Sequence, residues 1–375
     1  MRCSPPAHNG LESMEIKEQK NLTCWRGIIE EYKEFLPVSE KTPIVTLREG
    51  NTPLIKAENL KKKIGMDLNI YFKFDGANPT GSFKDRGMTL AISKAVEDGS
   101  KAVVCASTGN TSASASAFAA KAGVKAIVLI PEGKIALGKL AQALVHGAHA
   151  IQVKGNFDEA LNIVKALVER YPMTLVNSIN PFRLEGQKSA AFEVCDQLGF
   201  SPKFHALPVG NAGNITAYWK GYREYLKAKK TDSLPRMLGF QAAGAAPIVL
   251  GRPVKKPETI ATAIRIGNPA SWKGAVLARD ESGGRIEAVT DDEILNSYSL
   301  IASLEGIFCE PASAASLAGV MKLYKENYFN PDDIVVCTLT GNGLKDADIV
   351  FKVSKEPIKV KADIKAVEKA LKGIL

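Results

Sequence analysis

The chain has 375 residues, with 49 Lys and Arg against 40 Asp and Glu for a net charge of +9, and 45% of it is hydrophobic. With 31 Gly and 19 Pro as well, that composition excludes a disordered, collagen-like or coiled-coil chain. The length predicts about two domains, and the expected place for a site is between them.

Residues 1–22 are polar, carry Pro5-Pro6 and show no apolar period, so they are expected to be a disordered extension. Glu12, Glu15 and Glu18 stand where a secretory segment would need an apolar core. No apolar run approaches the length of a membrane span, so no membrane association and a cytoplasmic location are expected. The six cysteines are widely spaced, form no C-x-x-C pair and mostly lie in apolar runs such as AVVCAS and IVVCTL, which reads as a reduced core. His146 and His149 lack nearby third and fourth ligands, so no metal is expected. The lysines are scattered, without the interleaved aromatics of a nucleic-acid platform. A positive field does favour encounter with a small anion.

In chain order, a helix is expected from Trp25 to Phe35, with Ile28, Ile29, Tyr32 and Leu36 on one side and Pro37 as its stop. The chain then alternates. Short runs (IYFKF, KAVVCA, KAIVLI, AIQVK, MTLVN, FHALPV, MLGFQA, DIVVCTL) recur between amphipathic segments such as Asp158 to Tyr171, Asn214 to Lys230 and Asp291 to Leu304. This pattern predicts parallel α/β sheets, and periodicity alone leaves one barrel or two doubly wound sheets open. No Gly/Ser linker separates two domains, so a second domain is expected to be inserted rather than appended.

Four glycine loops carry the candidate chemistry. In NPTGSFKDRG, between a strand and a helix, Ser82 is expected to cap the helix and Lys84 to lie in its first turn. There the helix dipole disfavours a cation, and a depressed lysine pKa is what an imine-forming amine requires; the bland alternative is a surface lysine beside Asp85. The loop Gly210-Asn211-Ala212-Gly213-Asn214 follows a strand and opens a helix, an architecture that turns backbone N–H groups toward a phosphate. It carries neither the dinucleotide nor the nucleoside-triphosphate fingerprint, so a compact phosphate-bearing cofactor fits better. In Ser107-Thr108-Gly109-Asn110-Thr111, small hydroxyls at a helix start suit a carboxylate and Asn110 suits a cofactor oxygen, with helix capping by Thr108 or Thr111 as the alternative. Thr340, in TGNG, puts a neutral hydroxyl at a strand's C-terminal end.

Taken together, these loops resemble the pyridoxal-phosphate enzymes of the tryptophan-synthase-β type. Among them, NPTGSFKDRGM, the leading EGNTPL and NSINPFRLEGQK make the chain similar to the threonine synthases, from about Trp25 to about Val353. The resemblance implies two doubly wound α/β domains with mostly parallel sheets and pyridoxal 5'-phosphate in the cleft. The large domain would comprise 23–84 and 176–353, the small one 85–175, with 354–375 as a C-terminal tail or helix. It also implies a homodimer. By position, Lys84 would be the Schiff-base lysine and Asn110 would bond the cofactor's ring oxygen. Residues 210–214 would hold its phosphate and Thr340 its pyridine nitrogen. Ser107, Thr108 and Thr111 would bind the substrate carboxylate. Arg183 offers a fork for the substrate phosphate, with Asn177 and Ser178 completing the pocket, unless Arg183 pairs with Glu185. The implied reaction converts O-phospho-L-homoserine and water into L-threonine and phosphate. The alternatives are a threonine or serine dehydratase of the same fold and a non-catalytic phospho-ligand-binding protein.

Overall fold

All eight runs read as strands form strands, and the computed structural model arranges them, with two more, into two open sheets. The structure describes residues 24–132, 137–155, 157–354 and 356–374; the expected extension at 1–22 lies outside the described residues.

The larger sheet has the order β1-β2-β10-β7-β8-β9. Its strands are β1 (Leu54–Lys56), β2 (Asn69–Phe74), β7 (Phe204–Pro208), β8 (Arg236–Ala242), β9 (Arg285–Val289) and β10 (Ile334–Leu339). Only β1 runs antiparallel to its neighbour. The smaller sheet, order β5-β4-β3-β6, is all parallel and comprises β3 (Ala102–Ala106), β4 (Lys125–Pro131), β5 (His149–Val153) and β6 (Met173–Leu175). The chain enters the smaller sheet once, after β2, and returns to the larger one at β7.

Helices cover both faces of each sheet because the central strands are apolar on both sides. In β3, Val103 and Cys105 face one core while Val104 and Ala106 face another. The first core is closed by α3 (Lys84–Glu97), α4 (Asn110–Ala122) and α5 (Leu137–Val145), the second by α6 (Phe157–Val168). On the larger sheet, α2 (Glu58–Ile64), α12 (Asp291–Glu305) and α13 (Pro311–Lys325) pack on one face. The other face carries α1 (Ile28–Glu31), α8 (Ser189–Leu198), α9 (Gly213–Lys227) and α11 (Trp272–Glu281). Each large apolar side chain hidden this way, such as Phe192 or Phe240, contributes roughly 1.5–3 kcal/mol. The short helices α7 (Pro181–Gln187), α10 (Pro247–Leu250) and α14 (Val350–Val353) join these layers, and α15 (Ile364–Leu371) ends the described chain. Helix α3 begins at Lys84. That helix belongs to both units, with Met88 and Ile92 in the smaller sheet's core and Leu90 in the larger's.

Two expectations need correction. The helix expected over Trp25 to Phe35 is only α1 plus a 3-10 turn over Lys33–Phe35, although Ile28, Ile29, Tyr32 and Leu36 are all buried as anticipated. Gly27, at a φ of 104°, starts it late, and Tyr32, at −120°, breaks it. Cys24 is exposed, unlike the buried Cys105, Cys195, Cys309 and Cys337.

Between the units lies a buried charge cluster. Arg86 donates to Asp75 at 2.8 Å and to both oxygens of Glu193 at 2.6 and 2.8 Å. Lys73 reaches Glu193 at 2.8 Å, and Glu193 also accepts the backbone N–H groups of Asn51 and Thr52. Every charge is paired, the condition under which such a cluster survives burial. It fixes the EGNTPL loop, the end of β2 and the first turn of α3 to one another.

Candidate functional site

The candidate loops stand at the carboxyl ends of β2, β3, β6, β7 and β10, where open α/β sheets bind ligands. Because β10 lies between β2 and β7, three of these loops are neighbours. The lysine loop is bonded directly to the Thr340 loop: Phe83 N–H donates to Thr340 O and Asn342 N–H to Gly81 O, each at 2.9 Å.

Lys84 is half-buried and is the first residue of α3. Ser82 does not cap this helix as expected. Phe83 holds the cap position without a side-chain bond, and Ser82 Oγ only accepts from Lys84 N–H at a long 3.4 Å. Burial of the amine pushes Lys84 down to about 7, with the Arg183 charge acting in the same direction and Glu310 opposing both. Asp85 is no partner for Lys84. Its fully buried carboxylate accepts from Thr80 N, Thr80 Oγ1 and Ser114 Oγ at 2.7, 2.5 and 2.6 Å.

Residues 210–214 form the turn between β7 and α9. Ala212 adopts a left-handed conformation, φ 63°, rare for a residue with a Cβ. Among the described residues, nothing accepts a hydrogen bond from the backbone N–H of Gly210, Asn211 or Ala212. Gly213 and Asn214 open α9, where N–H groups have no partner within the helix. One side-chain and one backbone bond brace the turn: Asn214 Nδ2 donates to Pro208 O at 2.7 Å, and Asn211 O accepts from Ser271 N–H. Unpartnered N–H groups at such a turn and helix start are the arrangement that suits an anion.

Ser107, Thr108, Asn110 and Thr111 are half-buried at the start of α4. Neither threonine caps this helix, since Gly109 occupies the cap without a side-chain bond. Asn110 Nδ2 donates to Glu310 Oε2 at 3.0 Å and Thr340 Oγ1 to Glu310 Oε1 at 3.1 Å. Glu310, buried at the head of α13, thus touches groups from both sheets and was missed in the sequence. The only local signal was Glu-Pro at a helix start, which reads as ordinary punctuation.

After β6, Asn177 is buried and its amide is paired both ways with the Ala106 backbone at 2.9 Å, while Ser178 is half-buried beside it. Arg183 is wholly buried on α7. It does not pair with Glu185, which instead accepts from Lys188 at 2.7 Å and from Lys220. Arg183 Nη1 donates to Val176 O at 2.8 Å, whereas Nε and Nη2 have no partner among the described residues. Burial pushes the guanidinium down to about 10, so it stays charged at neutral pH. A buried charge with two idle donors is costly unless a ligand completes it.

Residues 45–341 match the family model for pyridoxal-phosphate-dependent enzymes. The chain is 58% identical over 355 residues to a threonine synthase of Synechocystis, covering 94% of this chain and 92% of that one. It is 61% identical over 325 residues to a threonine synthase of Halalkalibacterium halodurans (87% and 91%). The threonine synthase of Methanocaldococcus jannaschii is 52% identical over 371 residues (96% and 90%). Among solved structures, maize serine racemase superposes with a TM-score of 0.70 at 19% identity over 89% of this chain and 95% of that one. The processed form of tomato (Solanum lycopersicum) threonine deaminase isoform 2 gives 0.70 at 21% identity (81% and 82%). At those identities the likeness is one of fold.

Pyridoxal phosphate fits the residues present. The unbonded N–H groups at 210–212 suit its phosphate, the Lys84 amine near 7 suits attachment to its aldehyde, and the uncharged Asn110 amide and Thr340 hydroxyl suit contact with its ring. Among the described residues no group of three or more His, Cys, Asp or Glu is placed to hold a metal, and no helix is long and apolar enough to cross a membrane.

Proposed function

This chain belongs to the pyridoxal-phosphate-dependent enzymes and, among them, to the threonine synthases, and on that footing we propose that it converts O-phospho-L-homoserine and water into L-threonine and phosphate. Arg183 carries the choice of substrate: a buried guanidinium with Nε and Nη2 unpartnered among the described residues, near enough to Lys84 to depress its amine, suits an amino acid with a terminal phosphate.

When bound, pyridoxal phosphate supplies an electron sink that stabilises negative charge on the substrate's carbons. Ser107, Thr108 and Thr111 hold the substrate carboxylate at the head of α4, and Arg183 with Asn177 and Ser178 takes its phosphate. The substrate is thereby stretched across Lys84. Lys84 would hold the cofactor through its amine and, once freed, would serve as the base. With a pKa near 7, it can accept a proton and return it at neutral pH. Its Nζ removes the α proton and passes it to the substrate phosphate; neutral again, it takes a β proton, and phosphate departs from Cγ with the bonding pair, its charge met by Arg183. Lys84 delivers a proton to Cγ. Water then adds its hydroxyl at Cβ and its proton at Cα, and threonine is released. The uncharged Thr340 hydroxyl does not enforce protonation of the ring.

The division into domains at 84/85 and 175/176, a cytoplasmic location and a homodimer complete this reading. In support of the dimer, Phe351 is 85% exposed and Ile364, Val367 and Leu371 form an exposed apolar strip on α15.

The test supplies the purified protein with pyridoxal phosphate and either O-phospho-L-homoserine, threonine or serine. Phosphate and threonine from the first alone support the proposal. Oxo-acid from threonine or serine, with phosphohomoserine untouched, identifies a dehydratase instead.

A further inference from the structure

Arg183 and Lys84 sit on different helices, and those helices touch in an unusual way. Gly87 follows Lys84 by three residues, and Gly186 follows Arg183 by three. Each glycine therefore lies one helical turn beyond a functional cation. A Cβ built on Gly87 would fall 2.5 Å from Arg183 O and 2.8 Å from Arg183 Nε. One built on Gly186 would fall 2.1 Å from Arg86 O and 2.9 Å from Gly87 Cα. Neither glycine has a positive φ, so what matters is the missing Cβ. The obstacles are mostly backbone, which cannot swing aside. The α3 and α7 backbones are thus in direct contact at these two glycines.

We propose that Gly87 and Gly186 are positioning residues that determine substrate specificity: their crossing fixes the separation of the Lys84 amine from the Arg183 guanidinium, and so selects amino acids whose phosphate lies on the γ carbon. The inference rests on the reading of Arg183 as the phosphate ligand. The rest of the cluster is already immobile. Arg86, between Lys84 and Gly87, is locked by Asp75 and Glu193, and Arg183 is held from the other side by Val176 O. The α3–α7 contact is therefore the remaining place where the two cations can be moved apart by one methyl group.

The experiment compares Gly87→Ala, Gly186→Ala, Arg183→Ala and Gly87→Ala/Arg183→Ala holoenzymes. Displacing a binding group by about 1 Å can cost about 100-fold. Gly87→Ala and Gly186→Ala are each expected to lower kcat/KM for O-phospho-L-homoserine by about that factor, mostly through KM. In the double variant the loss should not exceed that of Arg183→Ala alone, because the displaced group is gone. Losses that multiply, or a kinetically silent Gly87→Ala, overturn the proposal. A second readout needs neither turnover nor a glycine variant that folds: the pH dependence of pyridoxal phosphate attachment to Lys84. The Arg183 charge depresses Lys84, so Arg183→Ala, and any folded glycine variant, should move the midpoint upward. An unmoved midpoint in Arg183→Ala contradicts the close pairing. If Arg183→Ala leaves phosphohomoserine kinetics unchanged while the midpoint rises, the phosphate-ligand reading fails and the crossing stands.

Discussion

Phe83 donates its backbone N–H to the carbonyl of Thr340 at 2.9 Å, so the residue before the reactive lysine is bonded to the residue that follows β10. Lys84 is thereby set on a rigid strand end rather than a free loop. Lys84→Ala should keep this frame, since the bond uses only backbone. The variant is expected to bind pyridoxal phosphate without covalent attachment and to lose at least about 10⁴-fold in turnover. Absorbance after borohydride reduction and gel filtration checks the first claim, and retained threonine formation would refute the second.

Glu310 joins Asn110 to Thr340, and its negative charge favours the protonated form of Lys84. Removing that charge in Glu310→Gln should therefore shift the midpoint for cofactor attachment to lower pH. A shift to higher pH would mean that Glu310 does not act on Lys84 electrostatically.

Burial alone would raise the pKa of Glu193, but Arg86 and Lys73 outweigh it and hold the carboxyl down at about 2. An unfolded glutamate titrates near about 4.3. Because the folded value is the lower one, this group's stabilisation is complete above that pH and is lost as pH falls toward about 2. Glu193→Gln is expected to cost about 3–5 kcal/mol at neutral pH, by leaving Lys73 without a carboxylate and Arg86 with Asp75 alone, and to flatten the decline of stability below about pH 4.5. Urea unfolding across that range measures both effects.

Lys345 donates to Gln142 Oε1, and Gln142 Nε2 donates to Thr80 O at 3.3 Å, joining α5 of the smaller sheet to the segment after β10 and to the lysine loop. Gln142→Ala should loosen the cleft and raise KM for O-phospho-L-homoserine roughly three- to tenfold with little change in kcat. Steady-state kinetics decide it, and an unchanged KM would remove this contact from substrate binding.

The larger part of the fold was legible because central parallel strands are apolar on both faces, and each of the eight that were read is observed within two residues of its expected bounds. The two missed strands, β1 and β9, are sheet edges. Three residues of Leu-Ile-Lys and the charged RIEAV carry too little apolar pattern, and only their neighbours make them strands. Helix 25–35 had the right buried face but the wrong length, since Gly27 and the turn at Tyr32 obey contacts with distant residues such as Glu49. The glycine loops of the candidate site were legible as loops because a βα turn leaves a local signature. Glu310 was not, because its partners lie 200 and 30 residues away. Nor was the freedom of Arg183: sequence offered Glu185 as its partner, and only the fold shows Glu185 taken by Lys188 and Lys220.

Running the reaction on O-phospho-L-homoserine in ¹⁸O-water tests the central claim most directly. Loss of phosphate from Cγ followed by addition of water at Cβ places the label in the threonine hydroxyl and leaves the released phosphate unlabelled. Labelled phosphate with homoserine as the product would mean that water attacks phosphorus, and would contradict the roles assigned to Lys84 and Arg183.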